Sequence, residues 1–121
     1  MLPSQKRAVG THYEEKAAQY LLEQGYSILK RNQTYRVGEI DLIAEEKKYP
    51  LCTLVFVEVR NRSLTGGIEP EETLGFTKQR RLLKAIQYYL VTYRGSATQV
   101  RIDLIGFKGD TLVHRQNFMR I

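Results

Sequence analysis

The sequence predicts a single α/β domain in which helices pack on a mixed central sheet, with elements in the order α-β-β-β-α-β-β. Three observations support this prediction. The chain of 121 residues is long enough for one core of its own. Two segments have apolar residues at helical spacing, whereas five others resemble strands. The most apolar strand, 52–60, precedes a helix and another strand, which indicates a crossover connection.

The chain is predicted to begin with an arm and a helix. Residues 1–9 form the short N-terminal arm, and residues 10–121 form the domain. The helix covers 10–24, because its alanines and leucines recur at helical spacing. Thr11 is the expected N-cap and Gly25 the residue that follows the helix.

Three strands are predicted next, at 26–36, 39–46 and 52–60. Gly38 allows a bend between the first two strands, and the polar, proline-containing stretch EKKYPL connects the second to the third. The third strand is the most apolar and is therefore expected at the centre of the sheet. A long loop is expected over 61–76, where three glycines and a proline occur.

A second helix is predicted over 77–94, followed by two strands within 98–118 that are joined by a turn at KGD. One broad face of this helix is apolar: Leu82, Leu83, Ala85, Ile86, Tyr89, Leu90 and Tyr93. Its first two turns contain four cations: Lys78, Arg80, Arg81 and Lys84. A helix start that is basic and rich in free N–H groups suits a phosphate.

Composition limits the class of protein. With a single cysteine, Cys52, the chain has neither an intrachain disulfide framework nor a CxxC zinc site. No segment reaches the roughly 20 apolar residues of a membrane span, and the N-terminus lacks the apolar stretch of a secretory signal. We therefore expect a cytoplasmic protein without a membrane partner.

The net charge of +6 is unevenly distributed along the chain. Residues 1–72 contain ten Lys or Arg against eleven Asp or Glu, whereas residues 73–121 contain nine against two. This asymmetry is consistent with a polyanionic partner that binds one side of the molecule. It is equally consistent with a charge that only keeps the protein in solution.

Two acidic residues lie in apolar strand segments, where a lone carboxylate is costly. If the second and third strands form a hairpin, Asp41 and Glu58 come side by side and resist ionising together. A Mg²⁺ or Mn²⁺ ion would remove this conflict, because such ions take oxygen ligands and commonly bind one or two carboxylates. Glu14 is a candidate third ligand through water. Spacing alone leaves open that Asp41 and Glu58 are surface residues paired with arginines.

Other polar and aromatic residues are weaker candidates for a site. His12 and His114 have no partner at ligand spacing and are expected on the surface. Tyrosines on the apolar helical face are expected in the core, whereas Tyr35 and Tyr49 are better candidates for exposed contacts.

The chain resembles the YraN-like family of uncharacterised bacterial proteins, and through it the restriction-endonuclease-like (PD-(D/E)xK) superfamily. The matching stretches lie between about residues 10 and 106: YEEKAAQYLLEQGYSILKRN, GEIDLIA, VFVEVRNR, the helix start at Lys78 and VRIDLIG. The resemblance implies a restriction-endonuclease-like fold and a metal site. One departure is Tyr13, a bulky residue where the family commonly has glycine.

Matched position by position, the resemblance gives Glu14 as the helix glutamate, and Asp41 and Glu58 as metal ligands. Arg60 stands where the family pattern expects lysine. Because arginine stays protonated, Arg60 cannot act as a general base, although it can hold phosphate or stabilise a transition state. Lys78 is the candidate for a relocated lysine. The resemblance thus implies a catalytic group of Asp41, Glu58, Arg60 and Lys78.

Three functions remain open from the sequence. The first is a metal-dependent nuclease that hydrolyses phosphodiester bonds in DNA, with branched or structured DNA suggested by similarity to related resolvases. The second is a nucleic-acid-binding module whose nuclease-like site is inactive, and the third is a small protein-interaction scaffold. Residues expected to contact nucleic acid are Arg62, Lys78, Gln79, Arg80, Arg81 and Lys84. A homodimer is compatible with a domain this small.

Overall fold

Five strands and two helices make up the part of the chain that the computed structural model describes, residues 5–61 and 74–121, with side chains from residue 11 onward. In chain order the elements are α1 (Gln5–Glu23), β1 (Ser27–Tyr35), β2 (Gly38–Lys48), β3 (Leu51–Arg60), α2 (Phe76–Thr92), β4 (Gln99–Lys108) and β5 (Thr111–Met119). The strands form one sheet in the order β1-β2-β3-β4-β5. β3 and β4 are parallel, and the other neighbours are antiparallel. The predicted element order, mixed sheet and central third strand are confirmed.

The two helices cover opposite faces of the sheet. Successive strand residues point to opposite faces, so one strand can supply two cores. On one face, α1 packs with a cluster that includes Val55 and Val57 of β3. On the other face, α2 packs with Leu54 and Phe56 of the same strand. The apolar face predicted for α2 is confirmed, since its residues are all buried or partly buried in this second cluster.

The boundaries of α1 differ from the sequence prediction at one end. The helix begins at Gln5, so Thr11 is not its N-cap and residues 5–9 of the predicted arm are helical. The early residues QKRA favour helix without an apolar stripe, which is why periodicity alone did not include them. At the other end Gly25 has φ 91°, and its predicted position after the helix is confirmed.

Two further features bear on the predictions. The Tyr13 ring packs against Phe107 in the α1 core with a centroid separation of 4.7 Å, so it points into the core. Most of the predicted loop over 61–76 falls on residues 62–73, outside the described part of the chain. Within the described part, neither helix is both long enough and apolar enough to cross a membrane.

A buried polar network lies on the α1 side of the sheet. The Asp103 carboxylate is fully buried and accepts two hydrogen bonds from the Arg101 guanidinium, at 2.8 and 2.9 Å. It also accepts the backbone N–H of Asn117 at 2.9 Å and lies 2.8 Å from His114 Nε2. The expectation that His114 is a surface residue is therefore wrong, since its side chain is only 9% exposed. Its Nδ1 lies 2.9 Å from the Tyr20 hydroxyl.

Candidate functional site

The candidate site lies where β2 and β3 separate. Their antiparallel pairing ends at Leu42 and Val57, and the next residues outward are Asp41 and Glu58. The backbone N–H of Val59 donates a 2.8 Å hydrogen bond to Asp41 Oδ2. The Asp41 side chain thus satisfies an amide at the point where the ladder between these two strands stops.

Burial opposes ionisation of both carboxylates, and the charge of Glu58 adds to this effect at Asp41. Burial, and then the charge of Glu58, raise the pKa of Asp41 well above its usual value, against the Val59 N–H, which lowers it. Burial also raises the pKa of Glu58, while Lys78 and Arg60 oppose that rise. The structure therefore brings Asp41 and Glu58 together, as the predicted hairpin requires.

Two cations lie beside Glu58. Lys78 Nζ is 3.6 Å from Glu58 Oε1, and Arg60 Nη1 is 3.9 Å from the same oxygen. The Arg60 side chain is 12% exposed, whereas that of Lys78 is 57% exposed and lines a groove. Lys78, the candidate for the relocated lysine, thus reaches Glu58 from α2, and Arg60 reaches it from β3.

Glu14 belongs to the same electrostatic cluster. Its pKa is raised by burial and then by the charge of Asp41, while a hydrogen bond with Asn32 lowers it. Over residues 5–61 and 74–121, no group of three or more His, Cys, Asp or Glu is arranged to hold a metal ion. The role of Glu14 as a third ligand stays a prediction.

A groove of about 920 Å³ opens above the carboxylate pair, between α2 and the β1–β2 turn. Asp41, Glu58 and Glu39 form its acidic part. Its cationic lining comprises Arg36, Lys78, Arg80, Arg81 and Lys84. Three of the predicted nucleic-acid contacts besides Lys78 therefore line the groove, while Arg62 lies outside the described residues.

The local structure of α2 explains the position of its cations. Gly75 is the N-cap, and the Gln79 side-chain amide donates to the Leu74 carbonyl at 2.8 Å, so Gln79 fixes the helix start. One turn further along α2, the carbonyl oxygen of Arg81 lies so close to Gly38 that a Cβ at Gly38 would collide with it. Glycine thus lets α2 approach β2 closely enough for Lys78 to reach Glu58.

Two residues near the groove were absent from the predicted nucleic-acid contacts. Arg36 lines it from the turn that leads into β2. Phe76, the first residue of α2, is 74% exposed, and its ring lies 5.8 Å from the guanidinium of Arg80. The position of Arg36 just before Gly38 was a usable signal, whereas the exposure of Phe76 depends on how α2 packs.

The oxygen donors at the site fit a hard divalent cation. Mg²⁺ commonly binds through one or two carboxylates, with water and substrate phosphate as its remaining ligands. Asp41 and Glu58 supply that donor set, and a cation between them would relieve the repulsion that raises the pKa of Asp41. The residues present therefore fit Mg²⁺ or Mn²⁺.

The fold and the site define a mixed α/β domain with a carboxylate pair at the floor of a basic groove. The chain belongs to UPF0102, an uncharacterised protein family whose model matches residues 13–107. This range includes the candidate residues Glu14, Asp41, Glu58 and Lys78.

Relatives of similar length carry the same family name. A UPF0102 protein of Persephonella marina is 41% identical over 108 residues, which cover 89% of this chain and 90% of the relative. One of Lachnoclostridium phytofermentans is 44% identical over 83% of this chain and 82% of its own length. One of Myxococcus xanthus is 37% identical over 88% and 82%.

Proposed function

We propose that this protein is a Mg²⁺-dependent nuclease with a restriction-endonuclease-like fold that hydrolyses phosphodiester bonds in DNA. The observation that carries the proposal is the convergence of Asp41, Glu58 and Lys78 at one part of a basic groove. Acidic residues that attract a divalent cation, bordered by cations that attract phosphate, are the combination that phosphodiester hydrolysis needs. The resemblance of GEIDLIA and VFVEVRNR to the superfamily pattern supports it further.

Asp41 and Glu58 would hold the metal ion. When bound, Mg²⁺ would polarise the phosphodiester and stabilise the negative charge that develops in the transition state. Asp41 is kept in place by the Val59 N–H, and Glu58 by its position in the buried part of β3. Both ligands therefore come from rigid strands rather than from loops.

Lys78 would orient the attacking water or accept its proton. Lysine can do so because, unlike arginine, it can exist without its proton in a protein. Its contact with Glu58, 3.6 Å between Nζ and Oε1, puts it next to the metal ligand from the groove side. Arg60 would balance the charge of Glu58, and Arg36 and Arg81 would hold the phosphate backbone.

The test exchanges the lysine between its two positions. Cleavage of single-stranded, duplex and branched DNA is measured with Mg²⁺ or Mn²⁺ for wild type, Lys78→Met, Arg60→Lys and the double variant. We expect Lys78→Met to lower the cleavage rate by about 10²- to 10⁴-fold, the usual contribution of a general base. Arg60→Lys in the Lys78→Met background should restore much of this loss, because it returns a lysine to Glu58.

The matched control is Lys84→Met, since Lys84 lines the groove on the same helix and is outside the proposed catalytic group. Lys84→Met should weaken DNA binding but should not lower the cleavage rate as Lys78→Met does. If neither wild type nor any variant cleaves any of these substrates, the nuclease proposal is wrong.

A second candidate function is a nucleic-acid-binding module without turnover. The ion pairs of Glu58 with Lys78 and Arg60 favour it, because they partly balance the charge of the pocket without a metal. DNA binding that needs the groove cations but is never followed by cleavage would support this alternative.

A further inference from the structure

Phe76 is the most exposed large apolar residue on the helix that borders the groove. Its side chain is 74% exposed, although it is the first residue of α2 and lies one residue before the groove-lining Thr77. A solitary exposed apolar residue needs no explanation in general. Phe76 differs from such a residue because it has a cationic neighbour: the guanidinium of Arg80, a residue that lines the groove, lies 5.8 Å from its ring centre.

A pair of aromatic rings lies further along α2, where a tyrosine of β1 contacts a tyrosine of the helix. The Tyr35 ring, which lines the groove from β1, meets Tyr88 of α2 edge-on with a centroid separation of 5.6 Å. From Phe76 to Tyr88 the helix rises by about 18 Å, at 1.5 Å per residue. Between these aromatic positions lie Arg80, Arg81 and Lys84. Aromatic residues therefore lie beside both ends of this cationic stretch of α2: Phe76 precedes it, and Tyr88, in contact with the groove-lining Tyr35, follows it.

This combination fits unpaired nucleic acid better than an intact duplex. Proteins that bind single strands combine a cationic groove for the backbone with aromatic rings on which bases stack, and a base within a duplex has no free face to offer. We propose that the groove takes a single-stranded segment of DNA, with one unpaired base stacked on Phe76 and its phosphates along Arg81 and Lys84. This inference rests on the proposed function and specifies its substrate class.

The direct test uses the absence of tryptophan from the chain. Phe76→Trp introduces a single indole whose fluorescence is quenched when a base stacks on it. Titration with a short oligothymidylate, with EDTA present to prevent cleavage, should quench this fluorescence, and a matching duplex should quench it far less. Tyr49→Trp is the matched control, because Tyr49 is 99% exposed at the β2–β3 turn, outside the groove lining. It should report no quenching.

Phe76→Ala measures the contribution of the stack. Base–aromatic stacking is worth about 1–3 kcal/mol per base, so affinity for the oligothymidylate should fall by about 5- to 150-fold. Affinity for duplex DNA should change by less than about twofold. Because Phe76 is exposed, its replacement by alanine should not unfold the protein, so a loss of affinity would not reflect a loss of folding. An unchanged melting temperature checks this point.

The outcomes separate the two proposals. If wild type binds and cleaves DNA but Phe76→Ala leaves single-strand affinity unchanged, the stacking inference is wrong and the proposed function stands. Equal losses for single strand and duplex also overturn it. If wild type binds no DNA of any form, both proposals fail.

Discussion

Asp41 experiences opposite effects from its two neighbours. The Val59 N–H stabilises a negative oxygen at 2.8 Å, whereas burial and the charge of Glu58 raise the pKa of Asp41. A site that gathers like charges is less stable than it would be without them, and such strain is common where a ligand must bind. The metal-free protein should therefore gain stability when one charge is removed.

Asp41→Asn should raise the free energy of unfolding at pH 7 without metal by about 0.5–2 kcal/mol, the range typical of substitutions that stabilise at the expense of function. Asparagine keeps an oxygen for the Val59 N–H and removes one of the two like charges. Mg²⁺ should stabilise wild type, because it binds the native state, and should leave Asp41→Asn unchanged. Urea unfolding with and without MgCl₂ measures both effects.

Glu39→Gln is the control for this substitution, because Glu39 lines the groove but is not one of the two proposed ligands. It should retain the stabilisation by Mg²⁺. Equal stabilisation of wild type and Asp41→Asn would show that Asp41 is not a ligand.

At the scale of single residues, the sequence predicted the contacts that depend on strand register. Asp41 and Glu58 could be paired from the hairpin alone, since register follows from alternation. The contact of Lys78 with Glu58 could only be suggested by the family resemblance, because it depends on the approach of α2. Asp103 was missed altogether, because it lies within the apolar run RIDLIG. Its hydrogen bond from Asn117 could not be predicted either, because Asn117 has φ 55° and lies beside an irregularity in the β4–β5 pairing.

At the scale of elements, the groove depends on one close approach between α2 and β2. Gly38 opens β2 directly beneath the carbonyl oxygen of Arg81, where any side chain would collide with backbone. A backbone neighbour cannot move aside as a flexible side chain can. The depth at which α2 lies on the sheet is therefore fixed by this glycine.

Gly38→Ala should lower the free energy of unfolding by about 1–3 kcal/mol, the usual cost of forcing extra atoms into a packed contact. Displacement of α2 should also separate Lys78 from Glu58 and lower any cleavage activity. Urea unfolding followed by circular dichroism measures the first effect. Gly75→Ala is the control, since a Cβ there meets open space, and its cost as an N-cap change should stay below about 1 kcal/mol. Equal stability of both variants would contradict the close approach.

The elements themselves were predictable because each buries a periodic apolar pattern. β3 and α2 have strong patterns, and their positions follow from them. The first turns of α1 have none: apart from Val9, the segment from Gln5 to Gly10 is polar or small, and its helical structure follows from continuity with the packed turns around Ala17.

At the scale of the whole molecule, the two faces of the sheet use charge differently. The α2 face leaves its cations in an open groove, whereas the α1 face buries Asp103 with its partners. Burial alone would raise the pKa of Asp103, but hydrogen bonds from His114, Arg101 and the Asn117 N–H outweigh it and lower that pKa. Arg101 extends the network to Glu46 of β2, with 2.9 Å between Nη1 and Oε1. Three strands, β2, β4 and β5, are thereby linked through one carboxylate.

Asp103→Asn should lower the free energy of unfolding at pH 7 by about 3 kcal/mol, the lower end of the usual cost of breaking a buried ion pair, because Arg101 loses Asp103 and keeps only Glu46 as its anion. Since the pKa of Asp103 is lowered in the folded state, its stabilising effect is complete above the unfolded value of 3.8 and is lost as pH falls through the folded value. The difference in stability between wild type and variant should therefore shrink only in acid, which urea unfolding across pH measures. Glu15→Gln, which breaks an exposed ion pair with Arg31, should cost at most about 1 kcal/mol at any pH. An Asp103→Asn protein as stable as wild type at pH 7 would mean that the network does not join the strands energetically.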